Sequence, residues 1–265
     1  MKIQDLNAPE VEIFTGLNEK QLRRLYEPEE GVFVCESIKV IDRAINAGYE
    51  PLSFFVEESR LEDVRPLVEN PSVPLFEATY EVMRDITGYA ISGGVLAAMR
   101  RKPAPKLDVF LRDKKNLVVM DDVENPTNAG AIFRSAAALG ADGVLLTKGC
   151  ADPLYRRAAR VSMGTVFAVD WTYMLAEDIR EIKKAGFGLI ALALSERSKP
   201  LGKPDLRGNE KRAIVLGNED HGISEEILSE CDHMVEIPMR NGVDSLNVAA
   251  ACAVACWELF NAPRG

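Results

Sequence analysis

The sequence predicts an α/β protein in two parts, a small α/β domain and then a larger domain built on a parallel sheet. Three observations carry that prediction. Short stretches apolar throughout at 117–120, 144–146, 166–169, 189–194 and 214–216, and largely apolar at 235–237, recur with helical stretches between most of them. A strand that is apolar on both sides must be covered on both sides, and intervening helices supply that cover in parallel sheets. The segment 101–106 (RKPAPK) interrupts the chain, and its two prolines and three cations neither continue a helix nor build a core. Finally, 265 residues, 47% of them hydrophobic, suffice for one large domain or two smaller ones. The boundary is placed at 105, giving domains 1–105 and 106–265.

In the first domain a leading segment looks mostly helical. Residues 31–35 (GVFVC) read as a buried strand, and Ile38, Ile41 and Ile45 then recur at helical spacing. Residues 52–56 (LSFFV) read as a second strand, 80–86 as a helix and 94–99 as a last strand. In the second domain a helix over 129–139 follows the first strand, and a long helix rich in alanine, valine and cysteine closes the chain over 246–260.

Charge and cysteine content narrow the function classes. The net charge of −9 argues against a generally basic nucleic-acid-binding surface. Residues 100–115 are the exception, with seven basic side chains against two acidic. That run reads either as a solvated linker or as a phosphate-contacting strip through Arg100, Arg101, Lys102 and Lys106. Cys35, Cys150, Cys231, Cys252 and Cys256 are odd in number and scattered, so neither a disulfide framework nor a four-ligand zinc site is expected. No metal is assigned. No run approaches the ~18 consecutive apolar residues of a membrane span. The start is too polar for a secretory signal, which gives the expectation of a cytoplasmic protein.

Ligands of parallel sheets sit beyond the carboxyl ends of the strands, so the loops there carry the functional argument. After 117–120 come turn and cap residues at Asn125, Pro126, Thr127 and Asn128, and Arg134 stands out in a small, apolar helix. After 214–216 comes Gly217-Asn-Glu-Asp-His-Gly222, where Gly217 lets a ligand approach the backbone. His221 in that loop is given no role. After 235–237 comes Pro238-Met-Arg-Asn-Gly-Val-Asp-Ser-Leu-Asn247, where Asp244 and Ser245 suit the cap of the last helix. Neither a dinucleotide fingerprint nor a P-loop is present, which counts against a doubly wound nucleotide-binding enzyme.

Three patterns occur in fixed order after three strands: Asn128-x-Gly130-x3-Arg134-x-Ala136, Gly217-Asn-Glu219-x2-Gly222, and Ile237-Pro-Met239-x5-Ser245-Leu-Asn-Val248. They resemble the signature motifs of the SpoU (TrmH) family of the SPOUT superfamily of RNA methyltransferases, over roughly residue 117 to the end. The first domain, about 30–99, is similar to the ribosomal-protein-like α/β RNA-binding domain that many of these enzymes carry. The Glu-Gly usual there after the first strand is Glu36-Ser37, and Asn241 stands where the third motif often has glycine.

The resemblance implies a C-terminal sheet threaded as a trefoil knot, a homodimer, and transfer of a methyl group from S-adenosylmethionine to a ribose 2′-hydroxyl in structured RNA. Ribosomal RNA is expected ahead of transfer RNA, because of the extra domain. By the same resemblance Leu192, Ala193, Leu194, Gly217, Asn218, Glu219, Ile237, Met239 and Leu246 bind the donor, largely through backbone groups. Arg134, Ser245, Asn247 and Asn128 form the catalytic set. Two alternatives remain: a catalytically weak RNA-binding scaffold, against which the presence of all these residues counts, and a nucleobase or tRNA methyltransferase of the same superfamily, for which Asp244 would be the acid–base group.

Overall fold

A computed structural model describes residues 1–18, 21–22, 31–85, 93–202, 206 and 209–260. The chain forms two compact units. The first joins Met1–Pro103 with Leu154–Ala168, and the second joins Ala104–Pro153 with Val169–Gly265. The first unit is therefore discontinuous in sequence, which the boundary at 105 does not anticipate.

The first unit holds a four-stranded sheet of β1 (Val32–Glu36), β2 (Pro51–Glu57), β3 (Leu75–Ala78) and β4 (Val95–Arg100), in the order β1-β4-β2-β3. β4 runs antiparallel to both neighbours, and β2 and β3 are parallel. The period-two alternation of a strand sorts β1 onto two faces. Val32 and Val34 join a core with Val11, Phe14 and Leu22 of the leading segment. Phe33 points the other way and meets Tyr49 and Phe167, with ring centroids at 5.3 and 5.9 Å.

Phe167 belongs to the inserted segment, and so do the other ties that hold it in this unit. Arg43 Nη1 donates to the Met163 carbonyl at 2.6 Å. The Glu36 carboxylate, its side chain only 2% exposed, is 3.2 Å from Arg160 and 3.9 Å from Arg156 of the helix Arg156–Val161. A carboxylate so buried is tolerated only with such partners.

The strand expected at 166–169 is corrected by the same packing. Met163 and Gly164 both take left-handed backbone, ending the helix, and Thr165–Phe167 is a single 3-10 turn that seats Phe167 on the aromatic cluster. The strand begins only at Asp170. The helix expected at 80–86 spans Tyr80–Asp85, and Ile86 lies outside the described residues.

Ser37 has φ +81° and ψ 145°, a conformation that suits glycine. That explains why glycine is usual at this position. Ser37→Gly is expected to stabilise the protein by about 1 kcal/mol, strain relief outweighing the added chain entropy. A urea midpoint equal to or below that of the parent chain would sink this prediction.

The second unit holds a seven-stranded sheet, parallel throughout. Its strands are β5 (Asn116–Met120), β6 (Gly143–Leu146), β7 (Asp170–Tyr173), β8 (Phe187–Leu192), β9 (Lys199–Pro200), β10 (Lys211–Leu216) and β11 (His233–Glu236). They lie in the order β7-β6-β5-β10-β8-β11-β9. Leu117, Val119, Leu189, Ala191, Ala213 and Val215 pack on one face with Ile179, Ile182 and Ile227. The alternate residues Val118, Met120, Ile190, Ile214 and Leu216 are equally buried on the other. The helices Pro126–Ala138 and Val248–Phe260 pack on each other, and the second also on β10.

From β5 the chain moves outward through β6 and β7, then returns to β8 on the far side of β10. A reversal of this kind opens a crevice at the carboxyl edge of the sheet, the usual ligand position. Among the described residues no helix is long and apolar enough to cross a membrane.

Candidate active site

Because the second unit's sheet is parallel throughout, the loops that follow its strands all leave at one carboxyl edge. Three of them, with the start of the last helix, wall a cavity of about 580 Å³. That volume lies within the range of small-molecule sites. Leu192, Ala193 and Leu194 come from the end of β8, Gly217, Asn218 and Glu219 from the loop after β10, and Ile237, Met239 and Leu246 from the loop after β11. All nine residues expected to bind the donor therefore line one cavity.

Ser245 and Asn247 line it as well, whereas Asn128 and Arg134 do not. The wall residues that sequence reasoning left unassigned include His221, Ile223, Leu228, Val235, Glu236 and Val248. Most lie in or beside a motif, so adjacency is the signal that would have found them.

Gly217 is fixed by space. A Cβ there would stand 2.2 Å from the Gly222 carbonyl carbon and 2.4 Å from the Ile223 nitrogen. The loop is folded so tightly that Asn218 N–H donates to Gly222 O at 2.9 Å and Gly222 N–H returns to Asn218 O at 3.0 Å. Asn241, where glycine is frequent, has φ +59°. Asparagine tolerates this left-handed backbone better than other residues with a side chain.

A chain of side-chain amides links the three motif loops. Asn125 caps the helix Pro126–Ala138 by accepting the Thr127 N–H at 2.8 Å. This sets Asn128 in the first turn, where its Nδ2 donates to Glu219 Oε1. Its Oδ1 accepts from Asn247 Nδ2 at 3.0 Å, and Asn247 Oδ1 accepts the Ala249 N–H at 3.0 Å at the start of the last helix. Arg134 lies six residues beyond Asn128, about 9 Å along the helix axis. It is exposed, and among the described residues its guanidinium makes no hydrogen bond or ion pair.

Among the described residues the cavity wall carries three carboxylates, Glu219, Glu236 and Asp244, and no lysine or arginine. Such a wall repels phosphate and favours a cationic ligand. Among the described residues no group of three or more His, Cys, Asp or Glu is placed to hold a metal ion. Cys150 and Cys231 are not poised as nucleophiles. Burial pushes the Cys150 thiol up to about 11 and the Cys231 thiol up to about 12.

The expected phosphate-contacting strip does not form one exposed cationic surface. Arg101 is buried, with Nε 3.4 Å from the Val32 carbonyl. Lys102 donates to Ala47 O at 2.6 Å and lies over the Tyr49 ring, and Arg100 pairs with Glu50 at 3.0 Å. Farther along, Arg112, Lys114 and Lys115 face Asp108, Asp170 and Glu210. Of the four residues expected in the strip, Lys106 alone is exposed with no side-chain hydrogen bond or ion pair among the described residues. In a chain with more acids than bases, cations close in sequence are largely taken up by the fold.

The model of a family described as the SpoU rRNA Methylase family matches residues 115–257. An uncharacterized tRNA/rRNA methyltransferase of Mycobacterium bovis is 33% identical, over 96% of this chain and 89% of its own length. The 23S rRNA (guanosine-2′-O-)-methyltransferase RlmB of Acinetobacter baylyi is 32% identical, over 76% of this chain and 84% of its own. The solved structure of an AdoMet-bound rRNA methyltransferase from Sinorhizobium meliloti matches with a TM-score of 0.83 at 25% identity, covering 97% of this chain and 96% of that one.

A parallel sheet with these loops around a cation-favouring cavity defines a methyltransferase of the SPOUT type. The chain belongs to the SpoU rRNA methylase family, and its cofactor is S-adenosylmethionine. The cavity suits that group. Its apolar walls and the close backbone at Gly217 fit an adenosine, and its carboxylates favour a sulfonium.

Proposed function

We propose that the protein methylates a ribose 2′-hydroxyl in structured RNA, in ribosomal RNA ahead of transfer RNA. The observation that carries this reading is the Asn247–Asn128–Glu219 chain, which joins all three motif loops at the donor cavity. The 23S rRNA guanosine-2′-O specificity stated for RlmB, over 76% of this chain, supports ribose and ribosomal RNA.

Bound S-adenosylmethionine supplies an electrophilic methyl group on a sulfonium. The protein's task is to hold the ribose oxygen in line with it, and orientation of this kind supplies much of the acceleration. Asn128 fixes the first loop and the ribose, Ser245 and Asn247 orient the nucleotide, and Glu219 anchors Asn128. Arg134 holds an RNA phosphate and polarises the 2′-oxygen. A guanidinium with a pKa above ~12 is a poor base, so proton removal falls to a group that Arg134 positions, such as that phosphate.

The reading extends to the assembly and the chain path. Val254 and Trp257 are 40% and 65% exposed, three residues apart on the last helix, and Leu246 near its start is 39% exposed. A second copy of the chain would cover such a face. Trp257→Glu is expected to convert a dimer to a monomer in light scattering and to lower methyl transfer at least about tenfold, as for a buried interface tryptophan. A dimeric, fully active variant would refute the interface. The interleaved order β10-β8-β11-β9 supports the trefoil knot, and a cytoplasmic location goes with an RNA substrate.

The test is transfer of labelled methyl from S-adenosylmethionine to RNA lacking its native modifications, followed by digestion to nucleosides. A labelled 2′-O-methylnucleoside is expected. A labelled base would favour the nucleobase reading, for which Asp244 in the cavity wall is the available carboxylate. Donor binding without labelling of any RNA would favour the scaffold.

A further inference from the structure

Two consecutive aspartates leave β5 and hold the donor loop 217–224 at both ends. Asp121 is buried, and its Oδ2 accepts the Ser224 N–H at 2.7 Å, at the loop's end. The Asp122 carbonyl accepts from Asn218 Nδ2 at 2.8 Å, near the loop's start. Asn218 Oδ1 in turn accepts the Asp220 N–H at 2.8 Å, so one amide side chain closes the loop and ties it to β5.

Asp122 reaches this position with φ +52°, a left-handed backbone that is uncommon for a residue with a side chain. Thr147, directly after β6, holds it there twice. The Asp122 N–H donates to Thr147 Oγ1 at 2.9 Å, and that hydroxyl donates to Asp122 Oδ1 at 2.6 Å. The carboxylate has room because residue 149 is glycine: a Cβ at Gly149 would stand 2.2 Å from Asp122 Oδ1. None of Thr147, Asp122 and Gly149 lines the cavity.

We propose that Thr147 is a positioning residue for the methyl donor: it latches Asp122 in the left-handed conformation that presents its carbonyl to Asn218 and so keeps the donor loop closed. The proposal rests on the reading of this cavity as the S-adenosylmethionine site. A latch of this kind acts on donor affinity and leaves RNA affinity alone, whereas a residue that merely stabilises the fold would affect both through the folded fraction.

The test compares Thr147→Val, which keeps shape and loses the hydroxyl, with Thr147→Ser, which keeps the hydroxyl. S-adenosylmethionine affinity is read by calorimetry, alongside KM for RNA and the thermal midpoint. Thr147→Val is expected to weaken donor binding about tenfold with KM for RNA within about twofold, and Thr147→Ser to bind within about twofold of the parent. Adding Asp122→Gly to Thr147→Val is expected to restore most of the lost affinity, because glycine adopts positive φ without a latch.

If Thr147→Val does not fold, Asp122→Ala and Asp122→Gly serve instead, with a tenfold loss expected for alanine only. Unchanged donor affinity in Thr147→Val, or a loss that neither serine nor the glycine rescue repairs, overturns the latch alone. A parent protein that binds no S-adenosylmethionine overturns the site reading and the latch together.

Discussion

Arg134→Ala is expected to lower methyl transfer about a thousandfold, the scale of losing a charged hydrogen-bond donor at a reacting centre. The dissociation constant for S-adenosylmethionine should stay within about threefold, since Arg134 lies outside the cavity wall. Stability should change by no more than about 0.5 kcal/mol, because the side chain is exposed and makes no ion pair or hydrogen bond among the described residues. A cation in a chain of net charge −9 has a coulombic reason to be paired, yet no carboxylate among the described residues takes this one. Arg134→Lys should recover little, because an ammonium cannot reproduce a planar fork. Single-turnover transfer with calorimetry decides the matter. Normal turnover in Arg134→Ala removes the arginine from the mechanism, while loss of donor binding would place it in the donor site instead.

Gly217→Ala is expected to weaken S-adenosylmethionine at least about a hundredfold, near 3 kcal/mol. The added Cβ would overlap the Gly222 carbonyl carbon at 2.2 Å and the Ile223 nitrogen at 2.4 Å, both backbone atoms that no side-chain rotation can move. The loop would have to open, breaking the pair of hydrogen bonds between Asn218 and Gly222. Gly222→Ala is the matched control. Its φ is +72°, but nothing lies within 4 Å of an added Cβ, so only backbone strain of about 1 kcal/mol opposes it. Equal donor affinities in the two alanine variants would show that closure of the loop is not what binding requires.

The central strands of the large sheet were legible because they are apolar on both faces, a pattern that few other environments produce. β3 escaped notice: it is four residues long, and its Leu75 and Glu77 are only half-buried. The turn at Thr165–Phe167 imitated a strand because all four residues 166–169 are apolar, and nothing local shows that Phe167 meets an aromatic ring on β1. The two arginines that neutralise Glu36 are equally remote in sequence, Arg160 by 124 positions.

At the site, the loops could be read from glycines and caps at fixed spacing, and the nine donor residues named from them share one cavity with Ser245 and Asn247, while Asn128 and Arg134 lie outside its wall. The basic strip misled because charge density along the chain says nothing of burial. The Asp122–Thr147 pair left no sequence signal, since an aspartate carries no mark of a left-handed backbone imposed by a hydroxyl 25 residues away.

The discontinuity of the first unit bears on the order in which the chain can fold as it is synthesised. Domains generally form in the order in which they leave the ribosome, amino-terminal first. Here Glu36 stays without Arg156 and Arg160, and the Phe33–Tyr49 pair without Phe167, until residue 167 has been made. By then β5 and β6, the first strands of the second sheet, have already been translated. The nascent amino-terminal part must therefore wait with an uncovered apolar face and an unneutralised carboxylate while another sheet begins to form beside it. Cutting the gene at the proline-rich linker would make that wait permanent, so an amino-terminal fragment ending at 105 should expose apolar surface and aggregate.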